Sequence, residues 1–368
     1  MNYYIIAGEA SGDLHGANLM KALTVEDTNA NFRVWGGDLM QAAGGDLRKH
    51  YRDFAYMGFL EVAKNIRTIY NNLRFCQRDI LAFQPDVLIL IDYPGFNLRI
   101  AKWAKRRGIK VFYYISPQIW AWHSSRVHNI KRTVDKMFVI LPFEEAFYQK
   151  YGMRVDFVGH PLLDVVRVFE KDDEFRDKYQ LGDKPIIALL PGSRKQEIRR
   201  MLGEMLQMVS KFADYQFVVA GAPSQEASFY QHILQQNGVD IPIVNNDTYQ
   251  LLAHSKAALV TSGTATLETA LFKVPQVVCY QGNQLSYWIA KRLVNVEYIS
   301  LVNLILNRPL VKELIQDEFN EKALTVALQS LLLKENADHF NTGYQELADT
   351  LGHSGASQRA AQLMVGYL

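Results

Sequence analysis

Short apolar runs alternate with amphipathic stretches along the first half of the chain. The apolar runs predict strands at residues 3–7, 33–35, 87–91, 111–115, 136–140 and 156–158. Stretches of helical length, such as 16–22 and 96–107, separate them. Because parallel strands need crossover connections of about this length, the alternation predicts a doubly wound parallel α/β sheet.

The same alternation restarts after a charged seam at residues 160–183. Further strands are predicted at 186–190, 216–220, 243–244, 257–260 and 276–279. We therefore expect two Rossmann-like domains, 1–165 and 166–340, with a ligand cleft between them. The tail, 341–368, predicts two helices that pack back onto an N-terminal domain, the last of them capped by Ser357.

Composition narrows the class of protein. A chain of 368 residues is too long for one typical core, which agrees with two domains. Its 40 basic and 38 acidic residues leave a net charge of +2, which argues against a nucleic-acid binder. Cys76 and Cys279 lie too far apart for a disulfide framework or a zinc site. With no apolar run of membrane-spanning length and a strand near Met1, we expect a cytoplasmic protein.

Two strand–loop–helix junctions in the second half are suited to anions. In "LLPGSRKQEI" the turn at Gly192 and Ser193 presents backbone amides, and Arg194 adds a forked cationic donor. The alternative is that this junction is only a helix cap.

The second junction is "VTSGTATLETA". The hydroxyls and amides of Ser262, Gly263 and Thr264 can hold a diphosphate, before a helix predicted from about residue 267. Glu268 can accept hydrogen bonds from ribose hydroxyls, or it can simply favour the helix dipole. Two such junctions at the carboxyl ends of strands in one sheet favour the binding interpretation.

The first half carries acids where a dinucleotide fold would carry only amides. In "AGEASGDLHG" the glycine spacing is not G-x-G-x-x-G, and Glu9, Ser11, Asp13 and His15 form a polar cluster that can hold a sugar or support a base. The alternative is that Ser11 or Asp13 caps the helix. In "VLILIDYPGFN" five apolar residues precede Asp92, so partial desolvation would raise its pKa and suit it to general-base catalysis. A capping role for Asp92 remains the alternative.

A series of motifs resembles the lipid-A-disaccharide synthase family. These are "AGEASGDLHGA", "MGFLEV", "IDYPGFN", "YYISPQIWAW", "LPFEEAFY", "FVGHP", "LLPGSRKQEI", "SGTATLETAL" and "SLVNLILNRPLVKELIQ", in order from residue 7 to about 316. The resemblance implies a GT-B fold and an inverting transfer of 2,3-diacylglucosamine from UDP to 2,3-diacylglucosamine 1-phosphate, without cofactor or metal. The products would be a β-1,6-linked disaccharide 1-phosphate and UDP.

The resemblance also implies roles for individual residues. Asp92 would deprotonate the acceptor 6-hydroxyl, and Glu9, Ser11 and Asp13 would shape the acceptor side or orient the base. The UDP-binding residues would be Gly192, Ser193, Arg194, Ser262, Gly263, Thr264, Glu268, Asn303 and Gln316.

Acylated substrates require contact with a bilayer. On a helical wheel Val62, Ile66, Ile69 and Leu73 share one face of "GFLEVAKNIRTIYNNLRFCQR", beside the basic side chains of Lys64 and Arg67. This stretch predicts peripheral binding to the cytoplasmic face of the inner membrane; alternatively it is an ordinary helix that covers the sheet. A homodimer is possible.

Two rival functions remain open at this point. One is another GT-B enzyme acting on UDP-N-acetylglucosamine, either the transferase of the peptidoglycan lipid intermediate or a 2-epimerase. The other is a nucleotide-sugar-binding protein without catalysis.

Overall fold

The computed structural model describes residues 1–53, 66–122, 124–282 and 297–368. The chain forms two compact units. The first comprises Met1–Asp164 together with Leu351–Leu368, and the second comprises Val165–Thr350. The C-terminal segment that joins the first unit therefore begins at Leu351, and not at residue 341. The helix Ala337–Thr350, which precedes it, belongs to the second unit.

The first unit is built on a seven-stranded parallel sheet of order β3-β2-β1-β4-β5-β6-β7. Its strands are β1 (Asn2–Ala7), β2 (Asn31–Gly36), β3 (Asp46–His50), β4 (Val87–Ile91), β5 (Val111–Tyr114), β6 (Lys136–Val139) and β7 (Asp156–Phe157). Its helices are α1 (Ala10–Glu26), α2 (Asp38–Ala42), α3 (Ile66–Phe83), α4 (Pro94–Lys105), α5 (Ile119–Trp122), α6 (Val127–Thr133), α7 (Phe143–Gln149) and α17 (Ala356–Gly366), with α8 (Leu162–Arg167) leading into the second unit. Single turns of 3₁₀-helix occupy Tyr51–Asp53 and Ser124–Arg126.

The second unit has a six-stranded parallel sheet of order β10-β9-β8-β11-β12-β13. The strands are β8 (Ile186–Leu190), β9 (Gln216–Gly221), β10 (Ile243–Asn245), β11 (Ser255–Thr261), β12 (Gln276–Tyr280) and β13 (Lys312–Ile315). The helices are α9 (Phe175–Lys178), α10 (Lys195–Leu206), α11 (Ala227–Gln236), α12 (Thr248–Ala253), α13 (Thr264–Leu271), α14 (Leu301–Leu306), α15 (Glu321–Leu332) and α16 (Ala337–Thr350), with 3₁₀ turns at Gln316–Glu318 and Lys334–Asn336.

Burial explains why these runs form strands. All residues of β4, β5 and β8 are buried, as expected where helices cover both faces of a parallel sheet. Strand order reverses beside β1 in one unit and beside β8 in the other. The predicted doubly wound α/β fold is therefore confirmed in both units.

The sequence pattern missed the two edge strands β3 and β13. Both are short and rich in charge, "DLRKH" and "KELI", because an edge strand is half covered and needs no continuous apolar run. It also placed two helix starts too late. Helix α1 begins at Ala10, so most of the glycine-rich opening segment is helical, and α13 begins at Thr264.

The C-terminal helix α17 packs on α1 within the first unit. Its N-cap residue, Gly355, has a φ of 95°, and its first amides point at the carboxylate of Asp164. That carboxylate accepts from the backbone N–H of Ala356 at 3.3 Å and of Ser357 at 3.2 Å, and also from Gly355. The prediction that Ser357 caps this helix is wrong, because the cap is Asp164, far away in sequence.

Candidate active site

The ends of β1 and β4 bring two candidate segments together. The strands pair in parallel with Ala7 opposite Ile91, so the residues that follow them lie at the same edge of the sheet. Gly8 contacts the ring of Tyr93 so closely that a Cβ at Gly8 would lie 2.3 Å from the Tyr93 Cγ. Only glycine therefore allows this approach between the two loops.

The turn after β4 has an unusual backbone. Asp92 and Tyr93 have φ values of 42° and 46°, both in the left-handed region that side-chain-bearing residues avoid. Each such residue costs about 1–2 kcal/mol relative to ordinary backbone. Pro94 then starts α4 at a position where its missing N–H costs nothing. Strain of this kind is concentrated at functional sites.

Asp92 is the acid with the most suggestive environment in this unit. Its side chain is half-buried, and burial raises its pKa to about 7, with a further contribution from the negative charge of Glu9. Glu9 is the N-cap residue of α1 and is also half-buried. Since Asp92 changes protonation near neutral pH, it can take a proton from a hydroxyl group far better than an ordinary aspartate can.

The structure separates the other two acceptor-side candidates. Ser11 is exposed on the first turn of α1. Asp13 is buried, and its carboxylate accepts three backbone N–H groups, from Gly37 at 2.7 Å, Met40 at 3.0 Å and Leu39 at 3.1 Å. Asp13 thus holds the N-terminus of α2, and the geometry does not support its predicted role in shaping the acceptor side or orienting the base.

Sequence reasoning missed a second buried acid at this edge. Glu144, on α7 after β6, accepts from the N–H of Ile140 at 3.2 Å and of Leu141 at 2.9 Å. Burial raises its pKa to about 7. Next to it the Ser116 hydroxyl lies 2.7 Å from that of Tyr148. The signal was present in "VILPFEE", where an acid follows an apolar strand as Asp92 does.

In the second unit the first predicted phosphate loop keeps its turn but already holds a carboxylate. Gly192 has a φ of 103°, and a Cβ there would collide with the side chain of Glu197. The N–H of Ser193 donates to Glu197 at 3.2 Å, as in a capping interaction. Arg194 is exposed at the N-cap of α10.

The second predicted phosphate loop follows β11. The Ser262 hydroxyl donates to the carbonyl of Ile299 at 2.9 Å, so its proton is already used in a hydrogen bond within the second unit. Gly263 and Thr264 are exposed at the start of α13. Because the helix begins inside the motif, its first amides belong to the predicted diphosphate loop itself.

Glu268 lies on α13 and is half-buried. Burial raises its pKa, and the hydroxyl of Tyr249 donates to its Oε1 at 3.0 Å. That contact leaves the second carboxylate oxygen for another donor, such as a ribose hydroxyl. Tyr249 was not singled out from the sequence, because it comes from a different helix, α12.

The last two predicted nucleotide residues differ sharply. Asn303 is buried, and its amide is fully engaged with β13: Nδ2 donates to Val311 O and Glu313 Oε1, while Oδ1 accepts from Val311 N. It serves as a structural bracket, so its predicted UDP contact is not supported. Gln316 is also buried, has a φ of 55°, and its Nε2 has no hydrogen-bond partner among the described residues.

The predicted membrane face is only partly described. Val62 and Lys64, and the side chain of Ile66, lie outside the described residues. Ile69 is half-buried, and Leu73 packs against the core of the sheet, as the alternative interpretation expected.

The exposed face of α3 is basic and aromatic. Its exposed residues include Arg67, Arg74 and Arg78, together with Tyr70 and Leu81.

The described part of the chain offers no group of three metal-ligating side chains that could hold an ion. Within the same residues, no helix is both long enough and apolar enough to cross a bilayer.

Comparison with known proteins identifies the family. The family model described as lipid-A-disaccharide synthetase matches residues 3–365. A lipid-A-disaccharide synthase of Syntrophus aciditrophicus is 40% identical over 364 residues, covering 97% of this chain and 95% of that protein.

Solved structures share the fold at low identity. The UDP-GlcNAc 2-epimerase of Neisseria meningitidis, bound to UDP-GlcNAc, has a TM-score of 0.66 at 11% identity, covering 100% of both chains. The kitacinnamycin glycotransferase has a TM-score of 0.65 at 13% identity, covering 100% of this chain and 99% of its own. These likenesses show the GT-B fold alone. Because the family model spans residues 3–365 and the Syntrophus relative is 40% identical over 97% of the chain, the chain belongs to the lipid-A-disaccharide synthase family.

Proposed function

We propose that Asp92 is the general base of the transfer reaction of this family. The family makes the chain a glycosyltransferase that forms the lipid A disaccharide. The donor is UDP-2,3-diacylglucosamine, and the acceptor is 2,3-diacylglucosamine 1-phosphate. The acceptor 6-oxygen bonds to the anomeric carbon, the bond from that carbon to UDP breaks, and the hydroxyl proton passes to Asp92. The product is the β-1,6-linked disaccharide 1-phosphate, with UDP released.

One observation carries the assignment of Asp92: a half-buried carboxyl group with a pKa raised to about 7, on a strained turn at the carboxyl edge of the sheet. A base of this pKa accepts a proton well at neutral pH. Glu9 supports it by raising that pKa and by standing beside the same edge. Ser11, exposed nearby, remains available to the acceptor.

The second unit would hold UDP. Arg194 offers a guanidinium group to the diphosphate, where negative charge develops as the donor bond breaks. The loop at Gly263 and Thr264 offers helix-terminal amides to the same group. Glu268 would bind the ribose, and the buried Gln316 offers its Nε2, a donor with no partner in the described part of the chain.

A transfer assay tests the assignment. The rate should rise with pH through about 7 and then level off, because only deprotonated Asp92 accepts the proton. Asp92→Asn should lose at least about a hundredfold in kcat, within the range expected of acid–base groups. The matched control, Asp173→Asn, changes an exposed aspartate in the same way and should be silent.

A second pair of variants tests the diphosphate contact. Arg194→Ala should weaken UDP binding and transfer, whereas Arg200→Ala, an exposed arginine on the same helix, should change neither.

Full activity of Asp92→Asn would remove Asp92 as the base while leaving the family's reaction intact.

The partner for the exposed face of α3 would be an anionic bilayer, on the cytoplasmic face of the inner membrane. The one acid of α3, Asp79, is buried and paired with Arg33 at 3.3 Å and Arg48 at 3.4 Å, away from this face. A groove of about 470 Å³ beside it is lined by Arg74, Arg78 and Arg107 with Trp103. Guanidinium groups and aromatic rings of this kind suit the lipid headgroup region. A homodimer stays a prediction.

Vesicle sedimentation tests the membrane contact. Binding should require phosphatidylglycerol in phosphatidylcholine vesicles, and Arg78→Glu should weaken it about fivefold or more, since each basic residue contributes about 1 kcal/mol. Arg200→Glu, the same change on the second unit, is the control. Equal binding of both variants would assign the contact to another surface.

A further inference from the structure

Two buried side chains donate hydrogen bonds to the main-chain carbonyl of Asp92. Asn97, on the first turns of α4, donates from Nδ2 to this carbonyl at 2.8 Å. The hydroxyl of Tyr113, on the neighbouring strand β5, donates to the same oxygen. Both residues have no exposed surface.

The same Asn97 amide reaches two further strand ends. It lies 3.1 Å from the carbonyl of Ile91, at the end of β4, and 3.4 Å from that of Ile6, near the end of β1. One side chain thus connects the two strands whose loops carry Asp92 and Glu9. Since these hydrogen bonds of Asn97 and Tyr113 end on main-chain carbonyls, they fix the path of the chain without engaging the Asp92 carboxyl group.

The turn needs such support. An isolated Asp-Tyr pair would leave the left-handed region, because its Cβ atoms crowd the neighbouring carbonyls. Conformations of this kind persist only where surrounding contacts determine them. Here those contacts are hydrogen bonds to the strained residue itself, from α4 and β5.

We propose that Asn97 and Tyr113 are positioning residues for the base, which hold Asp92 in its left-handed turn and keep its carboxyl group at the edge of the sheet beside Glu9. This inference rests on the proposed role of Asp92. Neither residue touches the reacting atoms; both act through the Asp92 backbone.

Loss of the Asn97 or Tyr113 hydrogen bond to the Asp92 carbonyl has two linked consequences. The turn relaxes toward ordinary backbone, and the carboxyl group moves from its half-buried position toward water. Its pKa then falls from about 7 toward 3.8, the ordinary value of an aspartate, because burial is the main cause of the shift. The base becomes both weaker and misplaced, which lowers kcat but leaves the KM for the UDP-sugar unchanged.

The test is Tyr113→Phe, which removes one hydroxyl and preserves the buried ring. We expect kcat to fall between about tenfold and a hundredfold, as misplacement of a catalytic group does. The acid limb of the rate profile should move to lower pH. The matched control is Tyr344→Phe in the second unit, where a buried hydroxyl also donates to a carbonyl, that of Val274 at 3.1 Å. That control should change neither quantity.

A titration independent of turnover accompanies the assay. In protein labelled with ¹³C-carboxyl aspartate, the Asp92 resonance is identified by its loss in Asp92→Asn. Its midpoint should lie lower in Tyr113→Phe than in wild type, and lower again in Asn97→Ala if that variant folds. An unchanged midpoint, or an unchanged kcat in Tyr113→Phe, overturns the inference. Should wild type make no disaccharide, the proposed function fails. The titration still decides whether Asn97 and Tyr113 hold the Asp92 carboxyl group in place.

Discussion

Two buried histidines should each destabilise the first unit as the pH falls. His15, on α1, and His160, after β7, are 8% and 3% exposed. Burial lowers the pKa of His15 to about 4, although the charge of Asp164 opposes the shift. Burial lowers the pKa of His160 to about 3, and His15 lowers it further. Both histidines are therefore neutral in the folded protein at pH 5.

The sign and size of the effect follow from these values. An unfolded histidine titrates near 6.5, so between pH 6.5 and 4 the unfolded chain binds more protons. The free energy of unfolding therefore falls as the pH falls. Because both folded values lie below 5, each histidine should remove about 2 kcal/mol between pH 8 and pH 5. The contribution is fully present above pH 6.5 and is lost below it.

Urea unfolding at pH 8 and pH 5 measures this loss. Tryptophan fluorescence reports the first unit, because four of the five tryptophans, all except Trp288, lie before residue 164. His15→Gln removes one titrating group, so its stability at pH 5 relative to pH 8 should be about 2 kcal/mol higher than the same difference in wild type. His232→Gln, an exposed histidine on α11, should leave the loss unchanged.

The comparison with the variant isolates His15 from Asp92 and Glu144, whose pKa values, raised to about 7 by burial, stabilise the first unit as the pH falls over the same range. The charged groups around the pair are Asp164, which caps α17, and Arg359, which donates to the carbonyl of Val158 at 2.9 Å. Both remain in the variant. If stability changes by the same amount between pH 8 and pH 5 in His15→Gln and in wild type, His15 is not held neutral in the fold.

Three further substitutions have definite outcomes. Asp13→Asn replaces a carboxylate that accepts three N–H groups with a side chain that turns a donor toward them, so thermal unfolding should show a loss of about 1–3 kcal/mol. Gly8→Ala should lower kcat, because the added Cβ displaces Tyr93 and with it the turn that carries Asp92. The UDP affinity measured by calorimetry should change little. Asn303→Asp places a carboxylate against Glu313 and removes both Nδ2 bonds, so urea unfolding of the second unit should shift to lower concentration.

Local signals in the sequence were sufficient for the central strands. Runs such as "VLILI" are apolar at every position because both faces of the sheet are covered, and an acid directly after such a run stands at the carboxyl edge where α/β proteins bind ligands. Asp92 could therefore be singled out without a structure.

The remaining features depend on contacts between residues far apart in sequence. The cap on α17 is Asp164, and no pattern near Ser357 indicates it. Asp13 looked like part of a polar loop because α1 was predicted to begin later than Ala10; inside a helix its carboxylate is aimed at α2. Edge strand β13 carries too little apolar surface to stand out.

Two pairs of similar polar residues differ in how fully the fold satisfies their hydrogen-bonding groups. Asp13, within α1, accepts three backbone amides, whereas burial without comparable donors leaves Asp92, directly after β4, with a raised pKa. The same contrast divides two buried amides of the second unit. Asn303 uses both donors and its acceptor on β13, while the Nε2 of Gln316 finds no partner among the described residues. A buried polar atom without a partner costs stability, and at Gln316 a bound substrate would recover that cost.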